Sequence, residues 1–281
     1  MTSLLRYRIM FRLLVATLLL NLTPGFAEID VYLLAGQSNM DGRGKVEKLT
    51  EKQCRPSKSA EIFYRNPPHA SEGWQPLQPG YSIAPKYKGG LPSPTFGPEI
   101  GFAEAIGKAA PDRRFAFIKG SKGGTSLRRD WKPGVKGQPD TQGERYRYFI
   151  ETVKQATEAL AASGQAFRIR GLLWHQGESD SKASAEAHQK RLVEFAARLR
   201  EDVGVPDLPI VVGQVFDNGK RDTVRAALRT FSEADPACGL VTVEGLTTWD
   251  AGTHFDAKSQ LLLGERYAEA LLEVQAATEE R

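Results

Sequence analysis

Short apolar runs alternate with longer amphipathic stretches along most of the chain. Glu28–Ala35 (EIDVYLLA), Phe115–Ile118 (FAFI), Phe167–Trp174, Ile210–Phe216 and Leu240–Val243 are too short for helices and rich in Val, Ile, Leu and Phe. Each is predicted as a buried strand, with Glu61–Tyr64 as a shorter one. Between them, residues 144–162 set Phe149, Val153, Ala156 and Leu160 at helical spacing, and residues 183–201 set Leu192, Phe195 and Leu199 on one face. Residues 98–110, opening on Pro98, and then 220–233 and 258–274 complete the helices. This alternation predicts an α/β fold with a mostly parallel sheet covered by helices on both faces. The exception is 56–98, which holds nine of the sixteen prolines together with Trp74, Tyr81 and Tyr87. It is expected to be loop, and a loop of that length serves as a binding or lid segment as readily as a plain surface flap.

The chain is 281 residues long, 26% charged and 41% hydrophobic, which excludes a disordered or coiled-coil protein. Its net charge of +4 would suit a polyanion-binding protein, but the N-terminus removes that support. Residues 1–27 carry Arg6, Arg8 and Arg12, then the apolar run Leu13–Leu20, then Pro24 and the small residues Gly25 and Ala27. That order is expected of a secretory signal peptide cleaved after Ala27, leaving residues 28–281 as one domain. Taking three arginines from 38 basic residues leaves 35 against 34 acidic ones, a net of +1. Nucleic acid is therefore not an expected partner, nor is stable membrane insertion after cleavage; the protein is expected in the periplasm or outside the cell. Cys54 and Cys238 permit one disulfide without requiring it. No ligand spacing for a metal appears, and no metal or organic cofactor is expected.

In open α/β sheets, ligands bind beyond the carboxyl ends of the strands. Four polar or glycine-rich segments fall there: 36–41, 120–126, 175–180 and 249–255. Ser38, in a tight turn after the first strand, is a candidate nucleophile, although a serine there also serves as a plain helix cap. A serine hydroxyl needs a base. Of the four histidines, His69 reads as surface and His188 as core edge. His175 either lines the pocket or makes a buried polar contact, and His254 is the candidate base. Asp250 and Glu178 are the candidate carboxylates to orient it, while Asp256 reads as a helix cap. Oxyanion donors are available from the Ser38 amide, the Gly123-Gly124 backbone and the Gln176 side chain. Gly120–Ser126 lacks the order of a phosphate-binding P-loop.

Five segments taken together resemble a known family. They are Gly36-Gln37-Ser38-Asn39-Met40, Phe96-Gly97-Pro98-Glu99, Lys122-Gly123-Gly124-Thr125-Ser126-Leu127 with Trp131, Trp174-His175-Gln176-Gly177-Glu178-Ser179-Asp180, and Gly252-Thr253-His254-Phe255-Asp256. In this order, over about residues 29–272, they resemble the sialate O-acetylesterase and acetylxylan esterase group (carbohydrate esterase family six) of the SGNH hydrolase superfamily. The resemblance implies a three-layer α/β/α sandwich that removes O-acetyl groups from carbohydrates. It implies Ser38 as nucleophile, His254 as base, and Ser38, Gly124 and Gln176 as oxyanion hole. Gln37, Asn39, Gly123 and His175 are the candidate substrate-binding residues. Many superfamily members carry Asp three residues before the catalytic His, where this chain has Ala251. Glu178 is accordingly preferred as the orienting acid, with Asp250 kept open. The sugar is expected to rest against the 56–98 segment, on Trp74 or the tyrosines.

Overall fold

The computed structural model describes residues 28–279. Residues 1–27, read above as a signal peptide, lie outside them. The first strand, β1 (Ile29–Gly36), is buried along all eight residues, which explains its nearly unbroken apolar sequence. β2 (Ala60–Asn66), β3 (Arg114–Ser121), β4 (Phe167–His175), β5 (Ile210–Gly213) and β6 (Cys238–Val241) join it in a parallel sheet of order β6-β5-β4-β1-β3-β2. Two-residue antiparallel strands at His69–Ala70 and Gln75–Pro76 both pair with β2.

Successive side chains of β1 serve two cores. Val31, Leu33 and Ala35 pack with α2 (Glu144–Ala162), α3 (Ala185–Asp202) and α4 (Asp222–Ala234) through Phe149, Val153, Leu192, Phe195, Val224 and Leu228. Tyr32 and Leu34 pack with α1 (Glu99–Ala109) and α5 (Ala257–Glu279) through Ile100, Phe102, Leu263, Tyr267 and Leu271. The result is the expected three-layer sandwich. The Ser184 hydroxyl accepts the Ala187 amide and caps α3, and Asp256 accepts the Ser259 amide in the first turn of α5.

The predicted strand 210–216 ends at Gly213. Gln214 still donates its amide to the Val241 carbonyl, but the next two carbonyls leave the sheet: Arg225 takes that of Val215, and Arg221 that of Phe216. α5 runs past Val274, through the strong helix formers Ala276 and Ala277. Cys54 is exposed, Cys238 is buried, and both are free thiols.

A buried ion pair ties the proline-rich segment to the sheet. Lys119 of β3 and Glu99 of α1 have fully buried side chains 2.8 Å apart. The Lys119 ammonium also donates to the Asp41 and Tyr81 carbonyls at 2.8 and 2.9 Å, and the other Glu99 oxygen accepts the Gly97 amide at 3.0 Å. One cation thereby joins the turn after β1, the 56–98 segment and the start of α1. Lys119→Met would leave the buried Glu99 carboxylate without a countercharge, and is expected to cost about 3–5 kcal/mol of stability. Urea denaturation with unchanged slope is the check, and a loss below about 1 kcal/mol would show that the pair does not hold these segments together.

Candidate active site

Register builds the site. Gly36, the last residue of β1, lies level with Ser121 of β3 on one side and His175 of β4 on the other. The polar segments that follow these strands therefore leave the sheet at one height. Gly36 has φ +143°, and a Cβ there would lie 2.2 Å from the His175 carbonyl oxygen. Only glycine lets the chain turn so tightly; the Gln37 amide then donates to that carbonyl at 2.9 Å. The turn leads into a one-turn helix, Ser38–Asp41.

Ser38 Oγ lies 3.1 Å from His254 Nε2, and His254 Nδ1 lies 2.6 Å from Asp250 Oδ2. Asp250 reaches the imidazole because residues 250–254 close on themselves. Its Oδ1 accepts the Thr253 and His254 amides, each at 2.9 Å, its carbonyl accepts the Gly252 amide at 2.7 Å, and Gly252 takes φ +82°. Trp249 stacks on the imidazole at 16°. Arg221 holds the turn from outside, donating to the Gly252 carbonyl at 2.9 Å and the Thr253 hydroxyl at 3.0 Å.

Glu178, preferred from sequence as the partner of His254, does not reach it. Its Oε1 accepts the Asn39 amide at 2.7 Å and lies 4.0 Å from His175 Nε2. Burial pushes its carboxyl above the usual range, with the Arg221 charge and the Asn39 hydrogen bond opposing. Asn39 is likewise withdrawn from any substrate. It is fully buried, and its Nδ2 also donates to the Thr253 carbonyl at 2.8 Å while its Oδ1 accepts the Phe255 amide at 3.1 Å. It is the bridge between the Ser38 turn and the His254 turn. His175 makes the buried polar contact rather than lining the pocket. Tyr267 donates its hydroxyl proton to the Trp174 carbonyl at 2.8 Å, so at 3.1 Å His175 Nδ1 must donate to Tyr267. Burial lowers the His175 pKa to about 3.

Gln176 also departs from expectation. Its Nε2 faces Asp180 Oδ2 at 2.6 Å, the Thr125 carbonyl at 3.2 Å and Gln37 Oε1 at 3.3 Å, and the residue is fully buried. Two amide protons facing three acceptors leave none for an oxyanion. Asp180 further accepts the Leu127 amide at 2.7 Å, and Trp131 donates to the Thr125 hydroxyl at 2.9 Å while packing edge-on against Trp174. Gln176, Asp180 and Trp131 thus brace the glycine loop 122–127 from behind.

Ser38, Gln37, Gly123, Gly124, Glu178 and His254 line an open cavity of about 670 Å³. The 56–98 segment supplies its far wall through Pro67, Pro68, His69 and Ile83–Tyr87, so His69 belongs to the pocket and not to open surface. Trp74 does not: it packs on Phe63 and donates to the Ala156 carbonyl at 3.0 Å. Tyr81 is buried, leaving Tyr87 as the tyrosine of that segment in the wall. Sequence reasoning passed over Arg43, Lys86 and Arg221, which also line the cavity, as does Lys122 of the glycine segment. The only available signal was the position of Arg43, five residues after Ser38.

Residues 28–273 match a family of carbohydrate esterases described as sialic acid-specific acetylesterases. A protein of Arabidopsis thaliana named as a probable carbohydrate esterase is 26% identical over 263 residues, covering 86% of this chain and 90% of that protein. A solved Arabidopsis thaliana structure superposes with a TM-score of 0.69 at 22% identity, covering 88% of this chain and 98% of that one. The structure of NanS superposes at 0.64 with 15% identity, covering 91% and 99%.

Burial disfavours the charged imidazole and holds His254 below its ordinary 6.5, although Asp250 pulls the other way and Arg43 and Arg221 add to the lowering. Asp250 is itself held below the usual carboxylate range: burial opposes, but the His254 and Thr253 amides and the imidazole outweigh it. NMR titration is expected to place the His254 midpoint below 6.5, and lower again in Asp250→Asn, which loses the group that favours the protonated ring. A midpoint that rises in that variant would contradict the pairing.

Proposed function

The chain belongs to the carbohydrate esterase family of sialic acid-specific acetylesterases, and from that premise we propose that it is an exported serine O-acetylesterase acting on acetylated sugars through an acetyl-enzyme. The observation that carries this reading is the unbroken chain from Ser38 Oγ through the His254 imidazole to Asp250, whose first two members line the cavity. The same chain speaks against a binding module that has lost its chemistry.

Ser38 Oγ attacks the acetyl carbonyl carbon as His254 Nε2 takes its proton. Asp250 fixes the Nδ1–H tautomer and stabilises the imidazolium. The carbonyl electrons move to oxygen, and the Ser38 and Gly124 amides donate to it. On collapse the bond to the sugar oxygen breaks and His254 Nε2 protonates that oxygen. Water, deprotonated by His254, then attacks the acetyl-serine, and acetate leaves as the proton returns to Ser38. The base must be neutral to begin, so a depressed His254 pKa extends activity toward acid: kcat/KM falls only as pH drops through that value.

The cavity wall favours an acidic sugar. Arg43, Lys86, Lys122 and Arg221 surround it, while the one carboxylate among the lining residues, Glu178, is pushed by burial toward its neutral form. A sugar carboxylate complements that charge, and a long acyl chain does not. The basic, then apolar, then small-residue order of residues 1–27 supports export.

Acetate release from an O-acetylated sialic acid and from its neutral acetylated counterparts tests this reading. The wild type is expected to prefer the acidic sugar and acetyl over longer esters. Asp250→Asn is expected to lose roughly 10³–10⁴-fold in kcat, and Glu178→Gln, which keeps an acceptor for Asn39, to stay within a few-fold of wild type. The reverse ranking of the two variants would return the orienting role to Glu178.

A further inference from the structure

With the Gln176 amide committed to Asp180 and Thr125, a third donor to the oxyanion would have to come from another side chain at the Ser38 end. Arg43 supplies one. Its side chain is only 5% exposed, yet it lines the cavity. A methyl group built on Gly123 would lie 2.8 Å from Arg43 Nη2 and 3.4 Å from Ser38 Cβ. The guanidinium therefore lies on the glycine-loop side of the nucleophile, where the carbonyl oxygen of a bound acetyl group would point toward the Gly124 amide.

The orientation of Arg43 is fixed from behind. Nη1 donates to Asp41 Oδ2 at 2.8 Å and to the Gly42 carbonyl at 2.5 Å. Asp41 is itself held by the Tyr64 hydroxyl at 2.9 Å, the Asn66 amide at 3.1 Å and the Ile83 amide at 3.1 Å. Among the described residues, Nη2 has no hydrogen-bond partner, and Nε is buried without one. A buried guanidinium that is paired with Asp41 through Nη1, yet leaves Nε unpartnered and makes no hydrogen bond through Nη2, holds donor capacity that calls for an explanation. A preorganised, desolvated cation is also the strongest kind of donor to a developing negative oxygen.

We propose that Arg43 is a catalytic residue whose Nη2–H donates to the acetyl carbonyl oxygen as it becomes an oxyanion, in the position expected of Gln176. This rests on Ser38 being the nucleophile. As the Ser38 Oγ–carbon bond forms and His254 takes the proton, the carbonyl electron pair moves to oxygen and is met by Arg43 together with the Ser38 and Gly124 amides. On collapse the pair returns to the carbonyl, the bond to the sugar oxygen breaks, and the hydrogen bond to Arg43 weakens.

The test uses 4-nitrophenyl acetate, which carries no carboxylate, beside an O-acetylated sialic acid. Arg43→Ala is expected to lose about a hundredfold or more in kcat on both esters, with KM for the neutral ester within about threefold. Millimolar guanidinium is expected to restore part of that loss in Arg43→Ala and none in Ser38→Ala. Arg43→Gln, which keeps a donor for Asp41 but no charge, decides the matter if Arg43→Ala does not fold; its kcat on the neutral ester is expected to drop at least about tenfold. A folded variant that keeps its kcat on 4-nitrophenyl acetate and loses only KM on the acidic sugar would overturn the proposal and make Arg43 a carboxylate ligand. Retained activity in Ser38→Ala would instead remove the nucleophile reading on which the proposal stands.

Discussion

The alignment of three strand ends is the constraint on which the rest depends. β1 pairs in parallel with β3 and β4, and Gly36, Ser121 and His175 share one level. Parallel strands need long crossovers, so the segments after these residues come from distant parts of the sequence and meet only because the register is kept. A one-residue slip of β1 would exchange its two faces between the two cores. Both cores use alternate β1 side chains, so the apolar packing that stabilises the sandwich also fixes the position of Ser38.

From that fixed point the site is assembled by buried polar struts. Asn39 joins the Ser38 turn to the His254 turn, Gln176 and Asp180 brace the glycine loop, and Lys119 draws in the proline-rich wall. The donors of these side chains are taken up by backbone carbonyls or carboxylates, which offsets the cost of burying them. Two pairs beside these turns differ in exposure: the Asp250–His254 pair is partly exposed, while the His175 side chain is fully buried and that of Glu178 nearly so.

The strands, the helices and the four polar segments were legible because burial on one face or two leaves a periodic trace. Ser38 and His254 were legible from their motifs. The choice between Asp250 and Glu178 was not, because it depends on how residues 250–254 close, and the spacing of an acid from its histidine does not encode a turn held by Gly252 and two amides. Asn39, His175 and Gln176 looked like site residues because they flank Ser38 or follow a strand end. Their side chains turn inward, and nothing local records that direction. Trp74 misled in the opposite way, since an aromatic residue in a proline-rich loop suggests a sugar platform, yet it covers Phe63. Buried cations such as Arg43 and Lys119 leave no periodic trace at all.

The central claim is that the acetyl group passes through Ser38. Rapid acid quench of the enzyme during turnover of an O-acetylated sialic acid, followed by peptide mass spectrometry, tests it directly. An acetyl adduct on the Ser38 side chain, formed and discharged at rates compatible with kcat, is the predicted result. Acetate release with no adduct under conditions that trap acyl-serines, or an adduct on another residue that turns over at the catalytic rate, would contradict the account.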